Sequence, residues 1–137
     1  MADQAKKILI VEDEPDMLKN LVDKFSREGF AAIGAEDGEK GLSSALSYQP
    51  DLILLDIVLP KMDGMTMMRK LREQSDWGKK VPIILLTNLN ADDQIMAGVA
   101  KDEPAFYLIK TEWTLDDVVK KVKQSLNMLT PEEIGAL

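Results

Sequence analysis

Short apolar runs recur along the chain at fairly even intervals, at residues 8–11, 30–35, 52–55, 81–86 and 105–109. Runs of this length between polar stretches predict five strands, the fourth with Pro82 near its start. The segments between them carry apolar residues at three-to-four spacing. The clearest are Met17, Leu18, Leu21, Val22 and Phe25, and later Leu115, Val118, Val119, Val122 and Leu126. That spacing puts one apolar stripe on each helix. Capping chemistry marks helix starts: Pro15 suits a first helical position, Asn90 precedes Ala91-Asp92-Asp93, and Thr114 precedes Leu115-Asp116-Asp117.

Strand and helix therefore alternate five times, which predicts an α/β fold: a doubly wound, five-stranded parallel sheet with helices on both faces. Each crossover helix must bury its stripe against the sheet. Five such units commonly take the flavodoxin-like order 2-1-3-4-5. Strands one and three are then neighbours, and ligands bind beyond the carboxyl ends of the strands where the order switches. The residues at those two ends are acidic. Strand one runs into Glu12-Asp13-Glu14-Pro15, and strand three ends in Asp56.

Three carboxylates at one sheet edge repel each other, so the site calls for a compensating cation. Magnesium prefers oxygen ligands and keeps several waters, which suits a few carboxylates without imidazole or thiolate; manganese could substitute. Strand four ends at Thr87 and strand five leads into Lys110, so a parallel sheet brings a hydroxyl and an ammonium to the same edge. Carboxylates, a divalent ion, a hydroxyl and an ammonium together make a site for phosphoryl transfer.

Composition removes the competing chemistries. There is no Cys and no His, which excludes disulfides, thiolate nucleophiles, the usual zinc sites and histidine catalysis. Acidic residues outnumber basic ones by 24 to 17, for a formal charge of −7, so direct nucleic-acid binding is not expected. The start of the chain lacks the apolar stretch of a signal peptide, and no run nears the ~18 apolar residues that cross a bilayer. A cytoplasmic protein without membrane insertion is expected. The 137 residues fit one domain, expected over 1–128, with 129–137 as a short tail or the start of a linker helix.

Glu12-Asp13, Asp56 within LLDIVLPKMDG, Thr87 and Lys110, in that order and spacing, resemble the signature set of response-regulator receiver domains of two-component signalling. The resemblance runs from about residue 7 to about residue 126 and is to a single receiver of the chemotaxis-regulator kind. It implies a phosphorelay switch in which Asp56 takes a phosphoryl group from a phosphohistidine on a sensor histidine kinase or histidine phosphotransfer protein. Asp13, Asp56 and a backbone carbonyl near Val58 would hold magnesium, with Glu12 acting through a bound water. Thr87 and Lys110 would bind the other phosphoryl oxygens. Movement of Thr87 would let Tyr107 turn inward and reshape the surface of the fourth helix, fifth strand and fifth helix, which a downstream protein reads. The protein would catalyse only its own phosphorylation and dephosphorylation, and so is not expected to be an enzyme in the ordinary sense.

Some positions depart from the family pattern or carry a plainer reading. Thr111 follows Lys110 where most receivers have a cis proline, which predicts a trans bond with a rearranged loop or a strained cis bond. Asn88 follows the hydroxyl position, and Val58 and Leu89 put apolar groups where water would approach Asp56, which predicts slow loss of phosphate. Asp63-Gly64 reads as a turn before the third helix, with Gly64 supplying backbone freedom and Pro60 stiffening the loop. Met62, Met65, Met67 and Met68 read as core filler rather than a partner surface. Thr130-Pro131-Glu132-Glu133 has the form of a capping box. The stretch after the fifth helix is too short for an output domain, so the chain is either a stand-alone receiver or a piece of a longer regulator.

Three rival readings share parts of the pattern. A pseudo-receiver would bind its partner without phosphorylation. An aspartyl phosphatase would need an acid-base residue where Val58 stands. A flavodoxin-like cofactor binder would need a phosphate-cradling loop where Glu12-Asp13-Glu14 would repel the ligand.

Overall fold

The computed structural model describes residues 5–87, 106–109 and 114–128. Its elements are β1 (Lys7–Val11), α1 (Pro15–Arg27), β2 (Ala31–Ala35), α2 (Gly38–Tyr48), β3 (Leu52–Asp56), α3 (Gly64–Gln74), α4 (Asp76–Lys80), β4 (Ile83–Thr87), β5 (Phe106–Ile109) and α5 (Leu115–Ser125). All strand pairings are parallel, and the sheet order is β2-β1-β3-β4-β5, as the alternation predicts.

The central strands are buried on both faces, so each feeds two cores with alternate residues. Ile8, Ile10, Leu52, Leu54, Ile84 and Leu86 point into a layer closed by Leu21 and Phe25 of α1 and by Val118, Val119 and Val122 of α5. Leu9, Val11, Ile53, Leu55, Ile83 and Leu85 point the other way, onto Ala45 of α2 and Met67, Met68 and Leu71 of α3. Met67 and Met68 are fully buried, and Met62 and Met65 pack against the same cluster, so the methionine group is core.

The termini of the elements follow local chemistry. Pro15 opens α1, and Thr114 caps α5 in a reciprocal box with Asp117. Helix α1 stops where Gly29 takes φ 94 and the Phe30 N–H reaches back to the Phe25 carbonyl at 3.0 Å. That stop keeps Phe30 out of β2; its ring packs edge-on against Phe25, with centroids 5.3 Å apart. Pro82 has no N–H to give a ladder, so β4 begins at Ile83 rather than Val81. The short α4 was not foreseen. Ser75 caps it, and Arg72 secures it by donating to the carbonyls of Gly78 and Val81 at 2.8 and 2.6 Å.

On the surface Lys24 joins α1 to α5, with Asp116 at 2.7 Å and Glu28 at 3.4 Å. The hydrogen bond to Asp116 raises the Lys24 pKa against partial desolvation, and the same bond lowers that of Asp116. The pair therefore contributes between the two titrations. Its contribution fades as pH falls through the lowered Asp116 value or rises through the raised Lys24 value.

Candidate functional site

The register decides what meets at the carboxyl edge. Val11 lies opposite Leu55, so the next residues, Glu12 and Asp56, emerge side by side from β1 and β3. On the other side Asp56 lies opposite Leu86, which puts Thr87 one residue beyond it, and Thr87 in turn lies opposite Ile109. Tyr107 is in β5 opposite Leu85. Lys110 lies outside the described residues, as do Asn88, Leu89, the Asn90 helix start, the Lys110-Thr111 peptide and the Thr130–Glu133 motif. The side-chain roles expected of Thr87 and Tyr107 are likewise outside what is described.

Glu12, Asp13 and Asp56 bring one carboxylate oxygen each to within 4.8 Å of one another. Glu12 is fully buried, Asp56 is 5% exposed and Asp13 faces solvent, so the cluster is open on one side. At an effective dielectric of about 20, two unit charges at that separation repel by on the order of 3 kcal/mol. Backbone groups offset part of this: Glu14 donates its N–H to Glu12 Oε2 at 3.2 Å, and Val58 donates to Asp56 Oδ1 at 3.3 Å. None of the three carboxylates is without a partner. The donor set is all oxygen, anionic and reachable from solvent, which fits a hard divalent cation.

The loop after Asp56 is held closely. Ile57 donates its N–H to the Leu86 carbonyl at 3.3 Å, and Gly64 donates to Ile57 at 2.8 Å. Asp63 caps α3 through the Thr66 N–H at 2.9 Å. Gly64 does not supply unusual backbone freedom, contrary to the sequence expectation, because its φ is not positive. It is needed for its size: a Cβ there would overlap the Asp56 carbonyl oxygen. Val58 is 57% exposed, an uncommon setting for a large apolar side chain, two residues from Asp56.

Residues 8–123 match the sequence profile of the response regulator receiver domain. The chain belongs to that family. The receiver is 35% identical over 131 residues to the alkaline phosphatase synthesis transcriptional regulatory protein PhoP of Bacillus subtilis, covering 96% of this chain and 46% of PhoP. It thus spans less than half the length of that relative. Among solved structures it is similar to a two-component response regulator from Clostridium difficile, with a TM-score of 0.78 and 30% identity over 89% of this chain and 96% of the other. It also superposes on a CheY-like receiver domain protein from Methanospirillum hungatei with a TM-score of 0.82, at 23% identity over 98% and 100% of the two chains, a likeness of fold. No helix among the described residues is long and apolar enough to cross a membrane.

Sequence reasoning passed over Asp37, Gly38 and Lys61. Asp37 is 4% exposed and caps α2 through the Lys40 N–H at 2.8 Å, and a Cβ on Gly38 would overlap the Met62 carbonyl oxygen. An Asp-Gly pair before a helical stretch is the available signal, but it predicts a cap and nothing about the loop beyond β3.

Proposed function

We propose that this receiver is a phosphorelay switch whose phosphoacceptor is Asp56. The observation that carries the reading is the gathering of Glu12, Asp13 and Asp56 at the carboxyl edge between β1 and β3, with Asp56 largely shielded from water. Asp13, Asp56 and the Val58 carbonyl would hold Mg2+, with Mn2+ as a substitute, and Glu12 would act through a water. The ion supplies charge neutralisation for the transferring group.

An Asp56 carboxylate oxygen attacks the phosphorus of a phosphohistidine on a sensor kinase or phosphotransfer protein. The P–O bond forms as the P–N bond breaks, and its electron pair returns to the partner's imidazole. Thr87 and Lys110 take up the remaining phosphoryl oxygens. Thr87 moves toward the phosphoryl group and Tyr107 follows. The surface formed by the predicted fourth helix, β5 and α5 then favours one of two arrangements for a downstream protein. The receiver acts on its own aspartate only, in the cytoplasm, and does not bind nucleic acid itself. The domain spans residues 1–128.

Exposed Val58 sits where a polar side chain could orient water toward the acyl phosphate, so loss of phosphate is slow. With Mg2+ and a small phosphodonor, intact mass should rise by ~80 Da, and Asp56→Asn should abolish the gain. The same labelled protein should keep its phosphoryl group longer than a Val58→Asn variant does. Gain of mass in Asp56→Asn, or none in the parent even with a cognate kinase, would overturn the reading in favour of a phosphorylation-independent binding module.

A further inference from the structure

Among the described residues, Asp37 is the buried charged residue that the carboxylate cluster does not use. One of its oxygens caps α2, and the other lies 3.8 Å from the Lys61 ammonium. Its neighbour Gly38 donates its N–H to the Pro60 carbonyl at 3.4 Å and packs against Met62 with no room for a Cβ. Every one of these contacts except the cap falls on the loop that follows Asp56. In that loop Met62 donates its N–H to the Pro60 carbonyl at 2.7 Å, closing a three-residue γ-turn around Lys61 at φ 67. A residue with a side chain rarely adopts that turn, and such strain persists only where the surroundings hold it. What holds it here is the corner between β2 and α2.

We infer that Asp37 and Gly38 are positioning residues for the metal: they clamp residues 57–62 in the shape that keeps the Val58 carbonyl available beside Asp56, without touching the ion. The inference rests on the magnesium reading of the site. Outer contacts that orient metal ligands typically matter by 10–100-fold in affinity. The Lys61 pair is half exposed and contributes less than the close packing at Gly38, so the two contacts should differ in weight.

Two variants separate positioning from plain electrostatics. Gly38→Ala changes no charge, and its backbone accepts alanine because φ is not positive, so its added methyl acts by displacing Met62. Lys61→Met removes a positive charge near an anionic site, which by Coulomb attraction alone would tighten Mg2+ binding. Mg2+ affinity is measured by calorimetry, and amide hydrogen exchange across residues 57–62 is measured in the metal-free protein. Gly38→Ala should weaken Mg2+ by about tenfold and Lys61→Met by roughly two- to threefold, both with faster loop exchange. Tighter or unchanged binding in Lys61→Met with unchanged loop exchange would overturn the inference, and so would a folded Gly38→Ala within twofold of the parent. If Gly38→Ala does not fold, Lys61→Met decides alone. Failure of the parent to bind Mg2+, or no weakening by Asp56→Asn, would instead sink the magnesium reading; loop exchange in the two variants would still test the clamp.

Discussion

Asp13→Asn should make the metal-free protein more stable and the metal-saturated protein less so. Asp13 is the exposed member of a cluster whose oxygens lie within 4.8 Å, and asparagine keeps its shape and an acceptor while removing one of the repelling charges. The relief is on the order of 1 kcal/mol, smaller than the pairwise repulsion because solvent and neighbouring groups already screen it. For a domain of this size that is a rise in melting temperature of roughly 3–5 °C. With Mg2+ the order reverses. The parent gains stability in proportion to the logarithm of metal concentration over its dissociation constant, while the variant has lost a ligand and gains little. Thermal melts with and without Mg2+ check both halves. A variant that melts lower than the parent in both conditions would mean that Asp13 serves the fold and not the ion.

Leu54→Ala should cause the largest loss of stability of any change considered. Leu54 sits in the middle of the central strand, opposite Ile10 on β1 and Ile84 on β4, and is fully buried in the layer that α1 and α5 close. Removing three buried carbons costs their transfer energy and leaves a cavity that a close-packed sheet cannot collapse, about 2–5 kcal/mol in all. Whole domains are stable by only about 5–15 kcal/mol, so the variant should be marginal. Urea titration should show a lower midpoint with an unchanged slope. A shift under 1 kcal/mol would mean that the layer is loosely packed.

The fold was legible because its signal is repeated. Each strand is a short apolar run, the central ones buried on both faces, and each of the longer helices carries a stripe, so errors at single residues do not change the topology. The misplaced edges have local causes: Gly29 ends α1 one step before Phe30, and Pro82 cannot donate to the ladder. Helix α4 was invisible because its five residues DWGKK are too few to show a period, and it is held by Arg72 and Ser75 from outside. The acidic site was readable from chain order, since Glu12 and Asp13 follow one strand and Asp56 ends another, and parallel strands bring such ends together. The role of Gly64 was misread because sequence reveals that a glycine is present but not whether conformation or space requires it. Asp37, Gly38 and Lys61 were missed for a related reason: their contacts join two loops distant in sequence, and neither loop carries a periodic pattern.

The most direct test of the central claim is a crystal structure of the receiver grown with Mg2+. One ion is expected, held by Asp13, Asp56 and the Val58 carbonyl, with Glu12 reaching it through a water. An ion bound away from Asp56, or Asp13 and Asp56 turned apart with no ion between them at saturating Mg2+, would contradict it.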